Sequence, residues 1–286
     1  MADDHRAAAV GFHAGELAVQ RQAGVQSAAA RLAPMVAGGE LRGGASAFFA
    51  KATFAALSAR DGAGRLWVSP LFGDPGFLHV ASPTRLLVAA TPPATDPLRG
   101  LLPAQPVGLV VMDFPTRRRL RINGMLSAAD SDELVIEVDQ AYGNCPQYIQ
   151  PRQVRGPSAD TRLNVFRGNE LRPQDVDLVR AADTFFLGTT HPESGNDASH
   201  RGGPPGFVGV DSGRLLWPDY PGNNMFNSFG NLFADPTAAL LFVDFRSGAT
   251  LQLSGTAAVR WDADASVTGR CVVFAPQQVV AIGPPA

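Results

Sequence analysis

The chain has 286 residues, of which 45% are hydrophobic and 17% charged, and its net charge is −2. This composition excludes global disorder, and the net charge excludes an overall basic field that would attract nucleic acid or an anionic membrane. The length predicts two domains or one large one, at roughly 100–200 residues per domain. Lys51 is the one lysine among 24 basic residues, so an anion site here has to use arginine, backbone N–H groups or neutral side chains.

The N-terminal stretch predicts helix, because HAGELAVQRQAGVQSAAARLAPMV contains many helix formers and few β-branched residues. We expect a helical segment over residues 1–40 that packs on the rest of the chain. Its acidic start has no apolar core of the kind found in secretory signals, and no apolar run is long enough to span a membrane. Cys145 and Cys271 are too few for a disulfide framework. We therefore expect two free thiols and a cytoplasmic location.

An internal repeat organises the chain. LVVMDFPTRRRLRINGML at residues 109–126 aligns without a gap with LLFVDFRSGATLQLSGTA at residues 240–257. The blocks that begin at Ser69 and Ser199 share the frame S-x3-G-x-P-G-F-x2-V. Two shorter segments also match: Arg85-Leu86-Leu87 aligns with Arg214-Leu215-Leu216, and Phe48-Phe49 aligns with Phe185-Phe186. Blocks that recur in one order predict a duplication.

Each copy predicts β structure. An apolar, β-branched run, a turn and a period-2 alternation are typical of an antiparallel hairpin, and each copy offers five or six such short strands. Strands this dense favour a barrel, which removes exposed edges. We predict barrels over residues 41–155 and 181–286, joined by a polar linker over residues 156–180 that contains a short helix.

The common catalytic signatures are missing from the sequence. It contains no nucleophile elbow, no P-loop and no dinucleotide-binding glycine fingerprint. HPESGNDASH at residues 191–200 is interpreted as a solvated loop without metal-ligand spacing, so no metal site is predicted. The basic run RRRLR at residues 117–121 has no interleaved aromatic platform for nucleic acid. We interpret it as a solvated face or as charge pairing across a barrel interface.

The second copy contains the unusual polar residues. In SHRGGPPGF, Ser199 and Arg201 precede Gly202 and Gly203. Glycines permit close backbone approach to a ligand, and arginine supplies charge for a phosphate. The segment WPDYPGNNMFNSFGNL sets amide side chains among aromatic rings, which fits a neutral, hydrogen-bonding ring system with a phosphate tail. Taken singly, each asparagine fits better as a residue that satisfies the backbone of a turn, whereas the cluster together with Ser199 and Arg201 favours a ligand site.

The first copy lacks these polar residues at the corresponding positions, but it carries a polar and aromatic cluster of its own, QAYGNCPQYIQPR. We expect this cluster to form one wall of a ligand site at the interface between the two barrels. The second copy would provide the residues that bind the ligand. A reactive thiolate is one interpretation of Cys145, and a small residue in a proline-containing turn is the other. No side chain is identified from the sequence as a catalytic acid or base.

Seven segments carry a family resemblance: FHAGELAVQ, GRLWVSPLFGDPGF, RRLRING, QAYGNCPQYIQPR, SHRGGPPGF, WPDYPGNNMFNSFGNL and LLFVDFRSGATLQLSG. Together they resemble the pyridoxamine 5′-phosphate oxidase-related, FMN-binding split-barrel proteins, in the subgroup with two barrels in one chain. The resemblance implies a mainly β fold of two tandem six-stranded antiparallel split barrels, with peripheral helices, that form an intramolecular pseudo-dimer. It also implies FMN as the cofactor, bound at the interface.

Residue by residue, the resemblance implies a cofactor site built by both barrels. Its residues would be Ser199, Arg201, Gly202, Gly203, Trp217, Pro218, Asn223 and Asn224 of the second copy, with Asn144, Cys145 and Tyr148 of the first. The family's oxidases have a lysine near the end of the strand that contains the arginine, and basic residues at the positions of Asn223 and Asn224. This sequence has neither, so the pyridoxamine-phosphate reaction is not assigned.

The function implied is a flavin-dependent oxidoreductase that acts on a small molecule, with a nicotinamide electron donor as a further expected partner. The alternative is a non-catalytic flavin, deazaflavin or haem binding or sensing protein on the same barrel, and a third interpretation is a protein-interaction scaffold. We expect no nucleic-acid or membrane partner. A pseudo-dimer is compatible with either a monomer or a homodimer.

Overall fold

The computed structural model of the protein describes residues 11–154, 156, 163–261 and 266–284. The elements in chain order are α1 (Ala14–Gln22), α2 (Gln26–Ala30), α3 (Ala33–Val36), α4 (Ala45–Phe49), β1 (Phe54–Arg60), β2 (Leu66–Phe72), β3 (Leu78–Ser82), β4 (Arg85–Val88), β5 (Gln105–Asp113), β6 (Arg118–Ala129), β7 (Leu134–Gly143), β8 (Asn164–Gly168), α5 (Pro173–Ala181), β9 (Thr184–His191), β10 (Gly195–Gly202), β11 (Gly209–Asp211), β12 (Arg214–Pro218), α6 (Asn227–Ala234), β13 (Thr237–Val243), β14 (Thr250–Trp261) and β15 (Arg270–Gly283).

The strands form two antiparallel sheets of the same topology. The first has the order β2-β1-β5-β6-β7-β4-β3, and the second has the order β10-β9-β13-β14-β15-β12-β11. Every strand of the first sheet therefore has a counterpart at the same place in the second. This confirms the mainly β fold and the duplication. Among the described residues each of these orders contains seven strands rather than the six predicted, and β8, which pairs with β15, is the eighth strand of the second sheet.

One detail of the sequence alignment is wrong. Phe48-Phe49 lies in helix α4, whereas Phe185-Phe186 lies in β9, whose counterpart is β1. An isolated apolar pair matches equally well in a helix and in a strand. The predicted linker contains the expected helix as α5, but β8 also lies within it and pairs with β15. Residues 157–162 of that linker lie outside the described residues.

The apolar runs LVVMDF and LLFVDF are continuous because their strands are buried on both faces. In β5, Leu109 and Val111 point into the core of the first barrel, while Val110 and Met112 join a separate cluster that also contains Leu241 of β13. The counterpart strand β13 alternates in the same way between its own barrel core and this shared cluster. A strand buried on both sides loses the polar alternation of a half-exposed strand.

The two barrels pack against each other through an internal twofold relationship. Strand β5 packs on β10, and their counterparts β13 and β2 pack on each other in the same way. The backbones come very close at Gly108, where a Cβ atom would lie 2.6 Å from the backbone nitrogen of Ala198. The chain thus forms the intramolecular pseudo-dimer that the resemblance implied.

The segment HPESGNDASH is the end of a hairpin rather than a solvated loop: its turn at residues 192–194 is exposed, and its second strand is buried. Strand β9 ends at His191, β10 begins at Gly195, and the side chains from Asn196 to His200 are buried. The polar composition was misleading because this strand lies at the barrel interface, where its polar groups have partners from the other barrel. Within the described ranges, no group of three or more His, Cys, Asp or Glu side chains is arranged to hold a metal ion.

The N-terminal stretch forms three short helices in its described part, from residue 11 onward, and α1 packs against α6. In the part of the chain that the structure describes, no helix is long and apolar enough to cross a membrane.

One buried ion pair joins the barrels. Arg121 of β6 donates through Nε and Nη2 to the carboxylate of Asp197 on β10, and the two side chains are only 7% and 3% exposed. Both partners come out of water together, so each depends on the other to compensate its buried charge.

We predict that Asp197→Asn lowers the free energy of unfolding by about 3 kcal/mol or more, because it leaves Arg121 as an uncompensated buried charge. Urea unfolding measures the change. The control is Glu137→Gln, which breaks the exposed Arg85–Glu137 ion pair and should cost less than about 1 kcal/mol. Equal losses for the two variants would refute the structural role of the buried pair.

Candidate functional site

A polar cleft opens between the barrels. The first barrel contributes β6 and the segment after β7, and the second contributes β10, the end of β12, the following loop and the start of α6. The lining residues are Arg119, Arg121, Asn144, Cys145, Gln147, Tyr148, Ser199, His200, Arg201, Gly202, Phe207, Trp217, Pro218, Asp219, Tyr220, Pro221, Gly222, Asn223, Asn224, Phe226, Asn227, Ser228, Phe229 and Arg270.

Ten of the eleven residues predicted for a cofactor site line this cleft: Ser199, Arg201, Gly202, Trp217, Pro218, Asn223, Asn224, Asn144, Cys145 and Tyr148. The exception is Gly203, where a Cβ atom would lie 2.6 Å from the ring of Phe207. The structure thus brings segments from both copies to one place. Their roles in binding stay predictions.

Gly202 is needed for the approach of protein backbone. A Cβ atom at this position would collide with the carbonyl oxygen of Tyr148, which comes from the other barrel. Tyr148 itself has a φ of 64°, in the left-handed region. The sequence-based interpretation, that Gly202 allows approach to a ligand, therefore needs correction: its small size lets the first barrel's segment close over the strand.

Four arginines of the cleft fall into two classes. Arg121 is paired with Asp197, and Arg270 with Asp219 at 2.9 Å. Arg119 and Arg201 form no ion pair with any carboxylate among the described residues, and the Nε atom of each is buried without a hydrogen-bond partner. Within the described residues, these two guanidinium groups therefore have no carboxylate at ion-pair distance.

Burial, together with the positive charges of Arg121 and Arg201, lowers the pKa of Arg119 to about 10. Burial also lowers the pKa of Arg201, against the opposing influence of Asp219. Arg119 still carries its proton at neutral pH, and arginine is effectively always protonated in proteins. An anion in the cleft would relieve this concentration of positive charge.

His200 is neutral and its tautomer follows from its partner. Burial lowers the pKa of His200 well below its usual range, and the neighbouring Arg119, Arg152 and Arg201 lower it further. Its Nδ1 lies 2.7 Å from Nη1 of Arg119. Because a guanidinium only donates, Nδ1 accepts and we assign the proton to Nε2. That Nε2–H group is buried without a partner among the described residues.

Helix α6 begins at the cleft. Its N-cap residue is Phe226, which has a left-handed φ of 60° and provides no side-chain cap. The N–H groups of the first turn have no acceptor inside a helix, and the helix dipole places partial positive charge there. Asn227, Ser228 and Phe229 of this turn line the cleft. Together with the buried, unpartnered donor atoms nearby, this arrangement suits an anion.

Aromatic rings and amides line the other parts of the cleft. Tyr148 of the first barrel stacks on Tyr220 of the second, with ring centroids 5.1 Å apart, and its hydroxyl donates to the carbonyl oxygen of Pro221 at 3.1 Å. Trp217 is only 3% exposed and packs edge-on against Phe185, so it belongs mainly to the barrel core.

The asparagines take different roles. Asn223 accepts a bond from the backbone N–H of Met225, as expected of a turn residue. Asn224 has a left-handed φ of 62°. Asn231 donates to Thr189 and does not line the cleft. The amide nitrogen of Asn144 is buried without a partner among the described residues. Asn224 and Asn144 are therefore the amides best placed to serve a ligand.

A buried network supports the start of α6 from behind. Glu16 of α1 accepts from the amide of Asn227 and from the backbone N–H of His13, the latter at 2.8 Å. The His13 ring lies 3.0 Å from the side-chain oxygen of Asn231. Burial raises the pKa of Glu16 to about 7, against the lowering effect of these hydrogen bonds. The N-terminal helix thus helps to fix one wall of the cleft.

The sequence interpretation missed the contribution of β6. Arg119 and Arg121 face the cleft, so the solvated-face interpretation of RRRLR is wrong for them. The interpretation as charge pairing across the barrel interface holds for Arg121, which pairs with Asp197. Arg270 and Asp219 also went unnoticed, because the register of β12 against β15 brings them together. The one available signal was a basic run in a repeat whose other copy, RSGATLQLSG, lacks it.

The fold and cleft define a protein of two tandem split barrels with an interface site. Residues 171–272 match the family model of pyridoxamine 5′-phosphate oxidase, which confirms the family resemblance. No curated protein sequence matches the chain.

Similar solved structures include a putative pyridoxamine 5′-phosphate oxidase from Lactobacillus delbrueckii (18% identity, 40% of this chain, 94% of that one, TM-score 0.33). Others are an FAD-binding protein from Mesorhizobium loti (10%, 42%, 99%, 0.30) and the heme storage protein HutZ from Vibrio cholerae (10%, 39%, 93%, 0.28).

The raised pKa of Glu16 predicts a pH dependence of stability. The folded pKa of about 7 exceeds the ordinary 4.5, so the folded state holds the extra proton between these values. The contribution of Glu16 to stability is therefore greatest at the acid end and is lost as the pH rises through 7. Glu16→Gln should flatten this fall, measured as urea unfolding free energies at about pH 5 and about pH 8. Glu137→Gln serves as the control and should keep the slope of the wild type.

Proposed function

We propose that the cleft binds FMN and that the protein is a flavin-dependent oxidoreductase acting on a small molecule. The observation that supports this most directly is the presence of Arg119 and Arg201, two guanidinium groups without carboxylate partners, in the same cleft as the uncapped start of α6. The matching family model and the split-barrel fold support the choice of a flavin.

The donor groups present fit a phosphate. Arg201 lies close to the first turn of α6, since its guanidinium carbon is 5.9 Å from the ring centre of Phe229. Charge-assisted bonds from arginine and backbone N–H groups together replace the lysine that the family's oxidases would provide. We propose that Arg201 and the α6 N-terminus hold the phosphate.

The remaining walls fit a planar, neutral ring. The stacked pair of Tyr148 and Tyr220 supplies aromatic surface, and the amides of Asn144 and Asn224 supply hydrogen bonds. Because these groups come from both barrels, the ring would lie at the interface between them. This combination of aromatic surface and neutral amides favours a neutral heterocycle.

Bound FMN supplies the capacity to accept and return a hydride, and the chain supplies position, electrostatics and exclusion of water. Arg119 places a positive charge in the cleft, which favours a ligand that becomes more negative on reduction. His200 keeps its donor on Nε2 through the bond to Arg119. We propose a nicotinamide as the electron donor. The free thiols Cys145 and Cys271 support a cytoplasmic location, where thiols stay reduced.

Arg201→Gln should weaken FMN binding by roughly 10- to 100-fold, because hydrogen bonds to charged groups contribute about 1.5–3 kcal/mol. Its affinity for riboflavin, which has the same ring but no phosphate, should stay within about 2-fold of wild type. Titration of flavin fluorescence measures both. Arg85→Gln, an exposed residue of the first barrel, is the control; Arg119 cannot serve because it lines the same cleft. Equal losses for FMN and riboflavin would place the phosphate elsewhere.

Purified protein should be yellow, and its bound flavin should bleach when NADH or NADPH is added and recover its colour in air. Absorbance near the flavin maximum follows both steps, and mass spectrometry of the acid-released group identifies it. A bound flavin that no donor reduces would favour the non-catalytic binder. A released deazaflavin or haem would replace FMN in the proposal, and a colourless protein that refuses all three would exclude it.

A further inference from the structure

The duplication gives the lining residues of the cleft counterparts on the opposite side of the molecule. Val110 pairs with Arg121 between β5 and β6, and Leu241 pairs with Gln252 between β13 and β14. Gln252 is therefore the counterpart of Arg121. By the same register, Thr250 is the counterpart of Arg119.

The strand that carries the second barrel's donors has also changed. Phe186 pairs with His200, and its counterpart Ala56 pairs with Pro70. It follows that Pro70 and Leu71 stand where the second barrel has His200 and Arg201. The cleft thus has three arginines and a histidine at these four positions. The residues at the corresponding positions, Gln252, Thr250, Leu71 and Pro70, are all uncharged.

In the first barrel, a carboxylate of the chain itself occupies the position that corresponds to the start of α6 in the second barrel. Ser199 contacts the hydroxyl of Ser228, in the first turn of α6, at 3.2 Å. Its counterpart Ser69 instead donates to Asp96 at 2.5 Å. Asp96 therefore takes the place of Ser228 in the first barrel.

Asp96 is held by the kinds of donor that would hold a bound anion. It is 3% exposed and accepts from the hydroxyl of Ser69, from the backbone N–H of Leu98 at 2.7 Å and from the amide of Gln252 at 3.0 Å. The same amide nitrogen of Gln252 also donates to the carbonyl oxygen of Val68. A hydroxyl, a backbone N–H and a side chain that reaches across from the other barrel satisfy this carboxylate.

We infer that Asp96 is a built-in anion that fills the first barrel's counterpart of the cleft, so that one chain holds one anionic ligand. The inference rests on the proposed anion site at Arg201 and α6, and it goes further by assigning the ligand stoichiometry.

Two measurements on the full chain test the stoichiometry. Tungstate, a phosphate-shaped dianion, is soaked into crystals and located by its anomalous scattering. We expect one tungstate, near Arg201 and the start of α6, and none near Asp96; tungstate at both places, or at neither, overturns the inference. FMN titrated to saturation should reach one per chain, and two per chain overturns the inference. One tungstate with no FMN bound would exclude the proposed function and support the inference.

A matched pair of variants tests the role of Asp96. Asp96→Ser introduces the residue type of Ser228, removes the internal anion and leaves the donors of Ser69, Leu98 and Gln252 free, so a second tungstate should appear beside them. Asp96→Asn keeps the position filled and should show no second tungstate. The lack of any difference between the two variants would contradict the role of Asp96. If Asp96→Ser does not fold, the tungstate and FMN measurements on the wild-type protein still decide the stoichiometry.

Discussion

The face-to-face packing of the two barrels is the constraint on which the rest of this structure depends. Strands of both barrels are buried on both faces, and Gly108 lets the backbones approach closely. Side chains cross this interface in both directions: Arg121 reaches Asp197, and Gln252 reaches Val68 and Ser69. Because the cleft lies between the barrels, its walls exist only while this packing holds.

A duplication within one chain frees the two halves to diverge. In a symmetric homodimer any change appears twice, whereas here one copy has charged residues at positions where the other has neutral ones. The open cleft combines Arg119 with His200, and the corresponding place in the other copy combines Thr250 with Pro70. Each half keeps one buried acid near the crossing side chain, Asp197 in one and Asp96 in the other. The polar network thus differs between the two halves, although the strands that pack at the interface correspond.

Buried polar groups also explain how the helices outside the barrels contribute. Glu16 of α1 accepts from Asn227 at the start of α6, and His13 caps α1 while contacting Asn231. A short helix such as α6 has little stability of its own, so such contacts and apolar packing fix its position. The orientation of the first turn of α6 toward the cleft is therefore a property of the whole second barrel and the N-terminal segment.

The sequence by itself determined the duplication, the β class and most of the cleft's second-barrel wall, because these depend on local patterns: apolar runs, turn residues and an aligned repeat. Only the tertiary structure decided which polar residues are buried together. HPESGNDASH has the composition of a loop, and RRRLR that of a solvated run, yet Asp197 and Arg121 meet in the interior. Their burial is set by the register and packing of strands far apart in sequence, which local composition does not encode. The position of Asp96 is not predictable from the sequence for the same reason. It lies in a proline-rich stretch, and only the fold buries it at the place that corresponds to the start of α6.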